Sequence, residues 1–177
     1  MPFIGPPLLG PLARNAGAFS YSVDAGTGEL RAGFRSGAIF GGENQIWLET
    51  FRTQDTLIFA DFSSGVVGLG GNFFNTSFGG SVGAGAFGAI RINATDADGT
   101  VTRTLGNTSL SSFLGVVSNT GSLSSVTAQS LRFDQGLFTS AAVDNLILAT
   151  AVPEAETYAL LLAGLAGVAF RARRRRG

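Results

Sequence analysis

Carboxylates and glycines are the residue types here whose spacing invites a chemical reading. Asp96-Ala97-Asp98-Gly99 sets two carboxylates two positions apart ahead of a glycine, like part of an oxygen-ligand loop for calcium. No glutamate follows at EF-hand spacing, and the plainer reading of the string is a hairpin turn. Asp144-Asn145 adds a third carboxylate, able to ligate an ion or to hydrogen-bond a neighbouring loop. Structural calcium on Asp96, Asp98 and Asp144 is therefore the only cofactor the residues suggest. A glycosidase needs two carboxylates facing each other across a sugar bond, and no spacing among Asp61, Asp96, Asp98, Asp134 and Asp144 makes a pair converge. Gly79-Gly80-Ser81-Val82-Gly83 imitates a nucleophile elbow, but Ser81 needs a histidine base and the chain has no histidine. Gly83 to Gly88 imitates a dinucleotide fingerprint, yet the alternating stretch AIRINAT follows where that motif demands a helix. These exclusions point to a protein that is not an enzyme.

The elements that position these residues read as strands. Glycine makes up 26 of the 177 residues, a density that signals many turns. Nine short strands are expected: 19–23, 45–50, 56–62, 66–74, 89–95, 100–105, 112–117, 125–133 and 143–149. Alternation is clearest at 89–95, with Ile90, Ile92 and Ala94 on one face and Arg91, Asn93 and Thr95 on the other. The fold class is all-β, an antiparallel sandwich or jelly roll over residues 18–150. Phe73-Phe74 must put one ring on each face of its strand. Trp47 reads as a half-buried sandwich tryptophan before it reads as a sugar-stacking platform. Residues 1–17 carry Pro2, Pro6, Pro7 and Pro11 and are expected to be irregular. Those prolines also forbid the apolar helix of a secretory signal. If the chain is exported, the expectation is a signal upstream of Met1, the alternative being a tail that acts alone as a late-inserting anchor.

Composition narrows the setting. Without cysteine or histidine there are no disulfides and no thiolate or imidazole metal sites. Setting apart the five arginines after Phe170, 7 basic residues face 12 acidic ones over positions 1–170, a net of −5. A nucleic-acid partner wants a basic patch, and this body offers none.

The end of the chain, 151–177, has a different logic. Tyr158 to Phe170 is 13 residues without a charge, and Arg171, Arg173, Arg174, Arg175 and Arg176 follow. A 13-residue helix is about 20 Å long, short of a hydrocarbon core of about 30 Å. The arginines cannot enter a packed interior, but they can snorkel to headgroups and extend the span, with Tyr158 at the opposite interface. Leu160, Leu161, Leu162, Leu165 and Phe170 supply the apolar surface, and Gly164 and Gly167 allow close helix contacts. A short transmembrane helix with a cytoplasmic C-terminus is the expectation.

Val152-Pro153-Glu154-Ala155, the apolar run from Tyr158 and the RARRRR cluster (171–176) together resemble the PEP-CTERM sorting signal of Gram-negative bacteria that make exopolysaccharide. Ala155 stands where that family usually has a second proline, and Tyr158 where tryptophan is common. The resemblance implies export, transient membrane retention and processing near Pro153-Glu154 by an exosortase-type protease. Upstream, TQDTLIFADFSSGVVGLGGNFFNTSFGG and AAVDNLILATAVPE are similar to jelly-roll regions found before this signal. The expected protein is an exported, non-enzymatic component of the cell envelope or extracellular matrix, with exopolysaccharide or another glycan as a conceivable partner. Two alternatives stay open. One is an uncleaved tail-anchored inner-membrane protein with a periplasmic β-domain; the other is a calcium-dependent glycan-binding module.

Overall fold

The alternation at 89–95 becomes a strand with its apolar side chains turned inward: in the computed structural model Ile90, Ile92 and Ala94 are buried and Arg91 is exposed. The structure describes residues 3–4, 6–26, 28–35, 45–51, 55–77, 82, 89–131, 139–151, 162–165 and 171. Among these, thirteen strands follow in order: β1 Phe3–Ile4, β2 Leu8–Leu9, β3 Leu12–Ala16, β4 Phe19–Ala25, β5 Glu29–Arg35, β6 Gln45–Thr50, β7 Thr56–Ala60, β8 Val66–Ser77, β9 Ala89–Asp96, β10 Gly99–Gly106, β11 Phe113–Val117, β12 Ser125–Leu131 and β13 Thr139–Thr150.

The strands form two antiparallel sheets. One is seven-stranded, in the order β1-β5-β6-β13-β8-β11 with β2 also on β5; the other is six-stranded, in the order β10-β9-β12-β7-β4-β3. Their facing sides close on one core. From the first sheet come Leu30, Leu69, Phe73, Ala141 and Val143, and from the second Val23, Leu57, Phe59, Ile90, Ile92, Val126 and Ala128. Each of the large side chains among these contributes about 1.5–3 kcal/mol when fully buried. The all-β sandwich expectation holds.

Phe73 and Phe74 divide between the faces as strand geometry requires. Phe73 joins the central core, and Phe74 joins a second, smaller cluster with Trp47 and Ala142 on the outer side of the first sheet. Val82 and Leu110 pack against that cluster. The Trp47 and Phe74 rings meet edge to face, with centroids 5.8 Å apart and planes at 78°. The first sheet is thus covered on both sides at this end, which alternation alone did not foretell.

Several strand assignments differ from the sequence reading. Residues 1–17, expected to be irregular, carry β1, β2 and β3, and β3 forms a hairpin with β4 through Gly17 at φ 61°. Pro6, Pro7 and Pro11 fall between these strands rather than in them, where a missing N–H costs the ladder nothing. β5 was also unforeseen. Its inward Leu30 is fully buried, while Glu29 and Arg31 alternate to the other side. β7 stops at Ala60 because Asp61 adopts φ 50°. The last part of the expected strand 125–133 lies outside the described residues.

Gly33 pairs with Trp47, and a Cβ at Gly33 would run into the indole ring. We predict that Gly33→Val displaces Trp47 and destabilises the fold by about 1–3 kcal/mol, an overpacking cost. Trp47 is the only tryptophan, so its emission reports this directly. The variant should show a red shift and a lower Tm; unchanged emission would contradict the packing described.

Candidate functional site

The first group of predicted residues sits on the β9–β10 hairpin. Asp96 pairs with Gly99 across a two-residue turn of Ala97 and Asp98. The turn is held by the Asp98 N–H, which donates to Asp96 Oδ1 at 2.9 Å. The other carboxylate oxygen, Oδ2, accepts from the Ser118 hydroxyl at 2.7 Å. Ser118 lies just past β11, and its own N–H donates to the Val67 carbonyl at 2.8 Å. Asp96 therefore ties the second sheet to the connection leaving the first. The Ser118 hydroxyl, and after it the Asp98 amide, hold the Asp96 carboxyl below the usual carboxylate range. Each carboxylate oxygen accepts a protein donor, Oδ1 from Asp98 and Oδ2 from Ser118, which fixes the orientation of the carboxylate within the turn.

Beside this hairpin an open groove of about 450 Å³ runs between the edge strands β10 and β11. Leu114, Val116 and Leu123 give it an apolar floor, and Asp98, Arg103 and Asn119 add polar groups.

Asp144 is elsewhere. It lines a separate cleft of about 330 Å³ with Arg14, Tyr21 and Leu48. Its Oδ1 accepts the N–H of Asn145 at 2.7 Å, and Asn145 has φ 51°. The register with β8 shifts between Asp144 and Ile147, so the Asp-Asn pair builds a β-bulge. Asparagine tolerates this left-handed backbone better than most residues. The structure thus brings Asp96 and Asp98 into one turn and leaves Asp144 apart. Among the described residues no three His, Cys, Asp or Glu side chains gather as metal ligands would.

One charged residue escaped the sequence reading. Glu49 on β6 is buried at 4 % exposure, and its Oε2 accepts the Trp47 indole N–H at 2.9 Å. Arg31 is its register partner on β5, with its guanidinium 3.2 Å over the Phe51 ring centre. Burial pushes the Glu49 carboxyl above its ordinary range, and the indole N–H and the Arg31 charge offset part of that. The available signal was the i, i+2 placement of Trp47 and Glu49, which puts an indole donor beside a carboxylate on one strand face. Trp47, at 2 % exposure, offers no sugar-stacking surface.

Of the expected tail helix 158–170, Leu162–Leu165 is helical and exposed, Leu162, Gly164 and Leu165 included, and Arg171 is helical and exposed as well. Val152, Pro153, Glu154, Ala155, Tyr158, Leu160, Leu161, Gly167, Phe170 and Arg173 to Arg176 lie outside the described residues. Among the described residues no helix is long and apolar enough to cross a membrane. The tail is identified by its sequence instead. Residues 151–176 match the PEP-CTERM protein-sorting motif. The matched stretch covers the motif, the apolar run and the arginine cluster read from the sequence, and it begins one residue after β13 ends. It implies export and sorting through an exosortase-type enzyme, and hence a secreted, envelope-associated protein. No curated protein matches the chain.

The two perturbed carboxylates bear on stability in opposite directions. Asp96 supports folding above the usual carboxylate range, and that support fades as pH falls through its lowered pKa. Glu49 opposes folding while charged, and this penalty fades as pH falls through its raised pKa. We predict that Asp96→Asn lowers Tm near neutral pH, with a gap to the parent that narrows in acid. Glu49→Gln should instead gain on the parent as pH rises toward neutral. Thermal unfolding across a pH series checks both, and curves parallel to the parent's would contradict the assignments.

Proposed function

We propose that this protein is an exported, non-enzymatic component of the bacterial cell envelope or extracellular matrix, a jelly-roll-type body delivered by its C-terminal signal and released near Pro153-Glu154. One observation carries the reading. The last registered pair of the body is Thr150 with Val66, and the sorting match starts at residue 151. Among the described residues, proteolysis near Pro153-Glu154 therefore removes no strand, no core side chain and no bond of the ladder.

In this reading the apolar run 158–170 spans the inner membrane in transit, and the arginines stay on the cytoplasmic side. The exposed Leu162 and Leu165 support it, since they leave apolar helical surface uncovered by the body. An exosortase-type enzyme is the processing partner. Tail anchoring without cleavage is the competing reading. A calcium-dependent glycan-binding role has less behind it, because Trp47 is buried and Asp144 lines a different cleft from Asp96 and Asp98.

The test is the mature C-terminus. In a host that carries the processing enzyme, we predict that the surface protein ends close to Pro153 and lacks RARRRRG by mass spectrometry. Pro153→Ala with Glu154→Ala should retain the tail and hold the protein in the inner membrane. An intact tail on surface-located parent protein would sink the proposal, and the same membrane location for parent and variant would favour the uncleaved anchor.

A further inference from the structure

The outer face of the first sheet is covered at one end and bare at the other. Trp47, Phe74 and Ala142 are buried at the covered end. At the bare end, strands β13, β8 and β11 carry Phe113, Val117 and Ile147 at 55 %, 66 % and 55 % exposure. Register places Ile147, Gly70 and Gly115 in one row, and Ala149, Gly68 and Val117 in the next. The two β8 glycines make this surface low and smooth. A Cβ at Gly70 would lie 2.9 Å from the Phe113 ring and 3.2 Å from Ile147. One at Gly68 would lie 3.1 Å from both Val117 and Ala149. The neighbouring apolar side chains therefore lie down across bare backbone. No charged residue occurs in β11, in residues 66–71 of β8 or in residues 145–150 of β13.

This deck is continuous with the tail. Ile147 and Ala149 belong to the strand that runs directly into the sorting segment. Seven residues, 151–157, separate that strand from the apolar run, a reach of no more than about 25 Å. A patch of this size would hold a bilayer only weakly from solution. Tethering changes that, because contact with the lipid becomes an intramolecular event at high local concentration.

We propose that the deck formed by Phe113, Val117, Ile147 and Ala149 rests on the outer leaflet while the tail is inserted, fixing how the body is presented to the processing enzyme. This rests on the membrane-inserted tail proposed above. The deck supplies an apolar, uncharged surface of the kind that partitions into the headgroup–acyl boundary, and the occupant is lipid rather than a second copy, because the tether brings lipid to it first.

The chain lacks cysteine, so single labels are clean. Full-length Val117→Cys and Thr102→Cys, the latter on the opposite sheet, would each carry an environment-sensitive fluorophore in phosphatidylcholine vesicles with brominated acyl chains. The expected result is quenching several-fold stronger at 117 than at 102, lost in a Phe113→Ser/Ile147→Ser background that still floats with the vesicles. Equal quenching at both sites in floating protein would overturn the deck alone. A label at 117 shielded from aqueous iodide but not reached by the bromine would assign the surface to a second copy and overturn it too. Protein that does not float would remove the inserted tail, and the deck proposal with it.

Discussion

The pairing of β13 with β8 is the constraint on which the first sheet depends. β13 is the last strand of the body, yet it sits inside the sheet, between β6 on one side and β8 on the other. Without it, among the described residues, β1, β2, β5 and β6 have no hydrogen-bonded route to β8 and β11. Its partners lie far back in the chain, so the sheet closes through non-local contacts, which form late and slowly. The sandwich cannot be completed until residue 150 is available, and the sorting segment begins at the very next residue. The strand that finishes the body thus runs directly into the sorting match.

The bulge at Asp144-Asn145 lets one strand serve two partners. Before it, Ala142 and Val143 pair with β6 on one side and with Phe74 and Phe73 on the other. After it, Ile147 to Thr150 pair with β8 alone, and the outward side chains change from buried to exposed. The upstream half of the outer face supports the Trp47–Phe74 cluster and the buried Glu49. The downstream half is glycine-floored and apolar. The Asp96–Ser118 bond works across the sandwich rather than within a sheet, fastening the β9–β10 hairpin to the connection after β11.

Much of this was legible in the residues. Alternation at 89–95 and turn chemistry at 96–99 gave the β9–β10 hairpin, because both signals are local. The Phe73–Phe74 dipeptide correctly implied burial on two faces, since strand geometry leaves adjacent rings no other choice. The prolines misled: they exclude a helix, but Pro6, Pro7 and Pro11 sit between short strands without harm, so β1 to β3 were not expected. The second cluster on the outer face was hidden because its cover comes from Val82 and Leu110, distant in sequence from Trp47. Asp144-Asn145 is open to a metal reading in the sequence because a bulge-forming pair and a ligand pair use the same residue types; the bulge itself becomes visible only through the register with β8. The tail was readable because its signal is an order of parts, which needs no tertiary contact to interpret.

The central claim is that the sandwich is complete at Thr150 and owes nothing to the sorting segment. Thermal unfolding of a chain ending at Ala151, followed by Trp47 emission and compared with the full chain, tests it most directly. The account predicts midpoints that agree within about 2 °C, less than roughly 1 kcal/mol for a body of this length, and superimposable native spectra. A truncated chain that melts well below the full-length protein, or shows a red-shifted Trp47, would contradict it.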